Sequence, residues 1–316
     1  MRLITVLTGG TGGAKFVWGL AQVVPPEQLT VIVNTGDDLT CWGLHVSPDI
    51  DSVMYALAGK LDPQRGWGYT GDTFSCLERM RELGAMGWFQ LGDRDLATHI
   101  RRTELLNARL PLSEATAVLS EAMGIRAKIL PMTDGVVETR VITNQGNLSF
   151  QEYFVRERFQ PDVLDVKFRG AETARTAPGV LEAIASAEVV FFAPSNPVTS
   201  IGPILAVPGV REVLQTCMAP VVAVSPIVGG DAVSGPAAKL MRMRGWKTSP
   251  AGIAQSYRGL LDGLIADSVD EATRAEIETE GIQAHFTETV MKSDDYKVRL
   301  AQFALEQVPQ TQEATP

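Results

Sequence analysis

The chain lacks what would mark it as a nucleic-acid binder, a disulfide scaffold or a membrane protein. Lys and Arg number 28 against 37 Asp and Glu in 316 residues, a net charge of −9. Such an acidic surface repels phosphate backbones, so no nucleic-acid partner is expected. The cysteines are three, Cys41, Cys76 and Cys217, odd in number and far apart. They make neither a disulfide framework nor a zinc-spaced C-x-x-C, and they point to a reducing, cytoplasmic setting. No apolar stretch nears the roughly 20 residues that cross a membrane. The first apolar run, Leu3 to Leu7, is strand-length and ends in glycines, so it reads as a strand and not as a leader. Internal repeats are missing, and no Ser-His-Asp or Cys-His arrangement follows from residue order. Aromatics are sparse at 7%, yet Trp42, Trp67, Tyr69 and Trp88 gather in one region, where a ring could stack on a flat heterocycle or simply pack a cap onto a core.

What is present begins with glycine. Gly9-Gly10-Thr11-Gly12-Gly13 puts four glycines in five residues, directly after an apolar run and two residues before Lys15. The pattern predicts a strand, a turn, and a helix from Ala14 to about Val23. Without Cβ atoms, backbone N–H groups can approach a phosphate closely, and the helix N-terminus adds positive potential at the same place. A ligand-free turn would need fewer glycines. The spacing is not that of a P-loop. Nor is it the dinucleotide fingerprint, since Lys15 stands where the last glycine of G-x-G-x-x-G belongs.

With 45% hydrophobic residues, the chain suits one large or two medium domains. Leu29–Asn34, Ala187–Ala193, Pro220–Ser225 and Gly263–Ala266 are short apolar runs bounded by Gly, Pro, Ser or Asp. Helix-like stretches such as 178–186 and 233–244 lie between them. This alternation predicts an α/β fold, a Rossmann-like, doubly wound and mostly parallel sheet. The middle differs. Helices are expected near 49–58, 73–83, 93–107 and 113–123, and β-hairpin strands at 127–132, 139–143, 147–154 and 164–168. The expected division is a nucleotide-binding core of 1–48 and 175–307, an inserted helical and β-hairpin cap of 49–174, and a disordered tail of 308–316. Ligands of such sheets sit outside the C-terminal strand ends, which makes the polar loops there the site candidates.

Four of those loops carry chemistry. Asp37 and Asp38 follow the second strand, and Asp49 and Asp51 come shortly after. Carboxylates this close repel one another unless a cation joins them, and hard oxygen ligands suit Mg²⁺. Asp49 and Asp51 would equally favour a helix N-terminus. Gly92-Asp93-Arg94-Asp95 opens a helix on which Asp95, His99 and Arg102 share a face, for gripping a phosphate or for ion-pairing among themselves. Pro194-Ser195-Asn196-Pro197 forms a rigid turn that exposes amide and hydroxyl groups. Ser225 to Gly230 ends the next strand in a glycine pair, Gly229 and Gly230.

These segments together resemble the 2-phospho-L-lactate transferases of coenzyme F-420 biosynthesis. The resemblance rests on Leu7–Lys15, Val33–Asp38, Ser47–Asp51, Leu91–Ile100, Phe150–Phe154, Pro194–Ile204 and Val224–Ile227, and it covers nearly the whole chain. It implies transfer of a 2-phospholactyl or enolpyruvyl phosphate group from a guanosine diphosphate ester to the ribityl hydroxyl of the deazaflavin FO, with release of GMP and a requirement for Mg²⁺. It implies a soluble enzyme with small-molecule substrates, a possible homodimer, and no membrane partner. Asp51 and Asp38 are the catalytic candidates. Asp51, Gln90, Asp93 and Arg94 are those for FO, with Gln90 standing where the family carries a lysine. For the nucleotide and its phosphates they are Gly9, Gly10, Thr11, Gly12, Gly13 and Lys15, with Ser195, Asn196, Ser225 and Gly229. For the metal they are Asp37, Asp38 and Asp49. Asp51 could orient the hydroxyl, deprotonate it, or bind metal. A nucleotide-sugar-binding regulator resembling gluconeogenesis factors is the alternative. A nicotinamide oxidoreductase is disfavoured by Asn34, where an acidic residue would be needed.

Overall fold

The computed structural model describes residues 3–308. Seven parallel strands form the central sheet: β1 (Ile4–Thr8), β2 (Leu29–Val33), β3 (Lys128–Pro131), β4 (Val189–Phe192), β5 (Val221–Val224), β6 (Gly263–Asp267) and β7 (Gln283–Thr287). Their order across the sheet is β7-β6-β5-β4-β1-β2-β3. Neighbours pair parallel throughout; Ile4 of β1 lies opposite Leu29 on one side and Val189 on the other. The winding reverses between β1 and β4, so this is the doubly wound arrangement, and its switch point lies at the glycine-rich turn.

Alternation along each strand feeds two cores. Leu7, Ile32, Val190 and Phe192 face one layer of helices, while Val6, Val31, Val189 and Phe191 face the other. Strands buried on both faces need the continuous Val/Ile/Leu/Phe runs seen in the sequence. On the second face lie α1 (Gly10–Val23), α2 (Pro48–Leu57) and the C-terminal helix Asp294–Glu306. Helix α1 turns Ala14, Phe16, Val17 and Leu20 inward, the i, i+3, i+4 spacing of an amphipathic helix. Gly19 lets the C-terminal helix approach: a Cβ there would lie 2.4 Å from the Lys297 carbonyl oxygen.

Two differences from the sequence expectation concern the sheet edges. The segment 127–132, expected as part of a cap hairpin, supplies β3, whose Val31↔Ile129 pairing crosses nearly a hundred residues. Strand β7 was not expected. Its sequence, Gln-Ala-His-Phe-Thr, lacks a continuous apolar run because an edge strand is only partly buried. The remaining hairpin segments form a three-stranded antiparallel sheet of Gly146–Ser149, Glu138–Thr143 and Val163–Arg169, in that order; the expected strand 147–154 stops at Ser149, and Glu152–Arg156 is a helical turn. Val141, Phe150, Tyr153 and Val166 of this layer pack against Val198 and Leu240 of the core. The expected tail lies outside the described residues beyond Val308. Among the described residues no helix is long and apolar enough to cross a membrane.

Candidate active site

A cleft of about 700 Å³ opens beyond the C-terminal ends of the strands, at the switch point. Helix α1 begins at Gly10, inside the glycine cluster and not after it, so Gly10, Thr11 and Gly12 form its first turn. The N–H groups of a first turn have no intrahelical partner. Gly10 is held at φ +70°, which favours glycine. Its N–H is already taken, donating to Asp49 Oδ1 at 2.8 Å. The Gly9 N–H donates to Ser195 Oγ at 3.3 Å, and that hydroxyl donates in turn to the Gly9 carbonyl at 2.7 Å. Of the expected cradle, the amides of Thr11 and Gly12 remain for a ligand. Lys15 lines the cleft one turn further along, where burial and the nearby Lys297 lower its pKa.

Facing this turn are two carboxylates. Asp49 Oδ2 accepts from Asn34 Nδ2 at 2.9 Å. Burial pushes its pKa up to about 6, against the pull of the Asn34 and Gly10 hydrogen bonds. Asp37 is raised well above the ordinary carboxylate range, first by burial and then by the charge of Asp49. Asp37 Oδ1 is buried without a hydrogen-bond partner among the described residues. Two buried carboxylates with raised pKa values, one with a free oxygen, are matched to a divalent cation or a shared proton.

Two residues along α2 the arrangement changes. Asp51 lines the cleft and is gripped from behind by Arg102, whose Nη2 meets Oδ1 and whose Nη1 donates to Oδ2 at 3.1 Å. Arg102 comes from the helix Asp93–Asn107 and is 0% exposed. His99, on the same helix, sits between Asp51 and Asp95, with Nδ1 3.6 Å from Asp51 Oδ2 and Nε2 3.2 Å from Asp95 Oδ1. Asp95 also accepts from the Tyr55 hydroxyl at 2.6 Å. The one-face spacing of Asp95, His99 and Arg102 is therefore a buried ion network, not a surface salt bridge and not a phosphate clamp.

Beyond Asp51 the walls become aromatic. Phe150 and Phe154, stacked at 5.5 Å, form one side, and Phe89 and Trp67 belong to the same cleft. Trp67 sits in the turn between Leu61 and Tyr69, beside Arg65, whose guanidinium lies 4.5 Å over Phe74. Lys15 and Arg65 are the cleft's Lys and Arg residues, set against Asp37, Asp49, Asp51 and Asp95.

Comparison with known proteins agrees with this geometry. The family described as 2-phospho-L-lactate transferase CofD matches residues 4–304. The chain belongs to the 2-phospho-L-lactate transferase family. A phosphoenolpyruvate transferase of Streptomyces griseus is 46% identical over 312 residues, 97% of this chain and 98% of that one. A 2-phospho-L-lactate transferase of Methanosarcina acetivorans is 44% identical over 300 residues, 95% of this chain and 97% of that one. The transferase's fold matches the crystal structure of a upf0052 family member from Bacillus halodurans, with a TM-score of 0.66 over 96% of this chain and 98% of the other at 15% identity. The named relatives are enzymes, and the regulatory alternative is not favoured.

In the transferase the cleft gathers Gly9, Gly10, Thr11, Gly12, Lys15, Ser195 and Asn196 with Asp37, Asp49, Asp51 and Gln90. Six further residues singled out from sequence lie outside its lining. Asp38 accepts from Ser47 Oγ at 2.7 Å and lies 2.9 Å from His45 Nε2. Gly13 packs behind the turn, where a Cβ would overlap Thr8 Oγ1. Asp93 holds the start of the preceding helix, Ser75–Glu82, by accepting from Thr73 Oγ1 at 2.5 Å and the Cys76 N–H at 2.9 Å. Arg94 donates to the Thr70 carbonyl at 3.1 Å. Ser225 closes its own turn on Ile227, and the Gly229 N–H donates to Asp270. Of the four aromatics singled out, only Trp67 reaches the cleft; Trp42 donates to the Met86 carbonyl and Trp88 packs edge-on against Phe89. Arg65, Phe89 and Tyr55 were missed as site residues. For Arg65 and Phe89 the one signal was aromatic clustering in glycine-containing loops; Tyr55, inside α2, carried none.

Proposed function

We propose that this transferase moves the phospho-acid part of a guanosine diphosphate ester onto the ribityl hydroxyl of FO, releasing GMP, and that the acid is 2-phospholactate or phosphoenolpyruvate. One observation carries the reading: a single cleft joins a phosphate-binding half to a flat, aromatic-walled half, with Asp51 where they meet. The first half offers the free amides of Thr11 and Gly12, Lys15, and the Asp37–Asp49 pair. The second has Trp67, Phe89, Phe150 and Phe154, suited to a flat ring system.

Asp37 and Asp49 are the residues that would hold Mg²⁺. The unpartnered Asp37 oxygen and the raised pKa values of both acids fit such an ion, which commonly takes one or two carboxylates and completes its shell with phosphate oxygens. Asp38, turned to His45 and Ser47, is left out of that set. When bound, Mg²⁺ supplies charge neutralisation on the diphosphate. The α1 amides and Lys15 hold the phosphoryl oxygens and stabilise the charge that grows in the transition state. The FO hydroxyl attacks the phosphorus that carries the acid, the P–O–P bond breaks, and GMP departs with the bridging oxygen, its phosphate taking up the proton that the hydroxyl loses. Asp51 accepts a hydrogen bond from the attacking hydroxyl and holds it in line, so the gain comes from orientation. Gln90, on the rim beside Phe89, offers an amide to the polar edge of the ring.

Incubation with FO, Mg²⁺ and each guanosine donor, followed by mass spectrometry, tests the proposal. Formation of the phospho-acid ester of FO with GMP is expected. Absence of both products with either donor would overturn it.

A further inference from the structure

Arg102 is the largest side chain buried to under 2% exposure among the described residues. Removing a guanidinium from water is costly unless charge and hydrogen bonds are returned to it. Here they come from Asp51, which takes both Nη groups. Nη1 also lies 3.4 Å from His99 Nδ1. On its other side the ring's Nε2 lies 3.2 Å from Asp95 Oδ1. Arg102 itself does not reach the cleft, while Asp51, Asp95 and His99 all line it. A purely structural ion pair would gain nothing from having its carboxylate face the substrates.

We propose that Arg102 is a positioning residue for Asp51: its two-armed grip fixes the carboxylate toward the acceptor and keeps it out of the Asp37–Asp49 metal set. The inference rests on the functional reading above. The planar fork of arginine matches a carboxylate in one orientation, which a lysine cannot reproduce. Each carboxylate oxygen keeps a second lone pair, and that is what faces the hydroxyl. With both oxygens neutralised by a fixed cation, Asp51 offers little to a dication only two residues from Asp49. The division of labour among four neighbouring carboxylates is thus set by a residue 51 positions away.

The test measures FO binding by fluorescence and GDP–Mg²⁺ binding by calorimetry in wild type, Arg102→Lys, Arg102→Gln, Asp51→Asn and the Asp51→Asn/Arg102→Gln double variant. Loss of FO affinity by roughly tenfold to a hundredfold is expected for Arg102→Gln, the range of a lost charge-assisted hydrogen bond. GDP affinity should hold within about twofold, on the additivity expected of separate sites. The double variant should bind FO no more weakly than Asp51→Asn alone. Arg102→Lys keeps the charge and guards against failure of the Gln variant to fold; it too should lose FO affinity while keeping GDP. Wild-type FO binding in Arg102→Lys, parallel loss of FO and GDP, or additive losses in the double variant would each overturn the assignment. Failure of the wild type itself to bind FO would instead sink the functional reading beneath it.

Discussion

Asp49 reaches from α2 to the N-terminus of α1, where its Oδ1 accepts the Gly10 N–H at 2.8 Å. The place where a helix start would greet a phosphate is thus already held by a carboxylate of the protein. A negative charge there is stabilised by the helix dipole, yet it repels an incoming diphosphate. The conflict is resolved once a cation lies between them.

That relationship predicts opposite effects of one substitution on two measurements. Asp49→Asn keeps an oxygen for Gly10 but removes the charge. GDP titrated in the presence of a chelator should bind more tightly than to wild type, by several-fold for the loss of one near charge. Mg²⁺-supported turnover should fall at least tenfold with one metal ligand lost, since transition-state charge is then less well neutralised. Calorimetry with and without Mg²⁺ separates the two. Equal weakening in both conditions would count against the metal role of Asp49.

The buried acids also set a pH dependence for the metal-free protein. Asp49 is raised from an ordinary 3.8 to about 6, and Asp37 and Asp38 are raised as well. The folded state therefore binds more protons than the unfolded one between those limits. Stability contributed by the protonated acids is complete below the unfolded value near pH 4 and is lost as pH rises through about 6. Asp95, lowered by His99 in spite of its burial, acts only below that window. In EDTA, the Tm of Asp49→Asn should gain on that of wild type as pH rises from about 4 to about 7. Calorimetry at stepped pH checks this, and added Mg²⁺ should restore the wild type.

The doubly wound core was legible because strands buried on both faces need uninterrupted apolar runs, as at Leu29–Val33 and Val189–Phe192. The two edge strands were not. Lys128–Pro131 runs straight on into hairpin-like sequence, and its strand partner, Leu29–Val33, is remote in the chain. Gln283–Thr287 is half-exposed and carries no clean pattern. The glycine turn announced itself, but sequence could not show that Ser195 and Asp49 occupy the Gly9 and Gly10 amides, because those partners lie 186 and 39 residues off. Helical spacing put Asp95, His99 and Arg102 on one face and left open what that face would meet. It meets Asp51, and that contact is tertiary.

Gly9 is required by space. Its backbone is extended, at φ −163°, so any residue could adopt the conformation. A Cβ there would lie 2.5 Å from Asp49 Oδ2 and 2.8 Å from Ser200 Cβ, closer than real contacts allow. Gly9→Ala should cost about 1–3 kcal/mol of stability as the turn is pushed apart. Donor affinity should fall with it, because Asp49 is displaced from Gly10. Denaturant unfolding and GDP titration on the same preparation test both parts.

Among the described residues Arg65 and Lys15 are the cleft's only Lys and Arg, and Arg65 is exposed on the Leu61–Tyr69 turn. The proposed donor carries a diphosphate and a carboxylate, more negative charge than Lys15 can meet alone. Arg65→Ala should raise the KM for the donor by about tenfold, the loss of one charge-assisted contact, without lowering Tm. The KM for FO should rise as well, though less, because Arg65 also lies beside Trp67 in the aromatic half. The defect should shrink at high salt, because screening weakens the wild-type contact and leaves the variant unaffected. Steady-state kinetics at two ionic strengths would show it.

Asp51→Asn tests the acceptor side and carries a structural penalty that the sequence did not disclose. The amide keeps an oxygen for one arm of Arg102 but presents an NH₂ group to the other. A fully buried guanidinium is then left without its partner charge. Breaking a buried pair in this way costs roughly 3–5 kcal/mol, so Tm should drop by many degrees even though transfer is the function under test. Loss of product at a temperature where the variant is partly unfolded would prove nothing about Asp51. Turnover must be read well below the variant's own Tm, with GDP binding as the check that the phosphate half is intact. Under those conditions FO transfer should fall by at least a hundredfold while GDP binding persists, which is what loss of an orienting group at the reacting hydroxyl requires. Near-wild-type transfer by folded Asp51→Asn would remove Asp51 from the reaction and leave Arg102 and Asp51 as an ordinary buried ion pair.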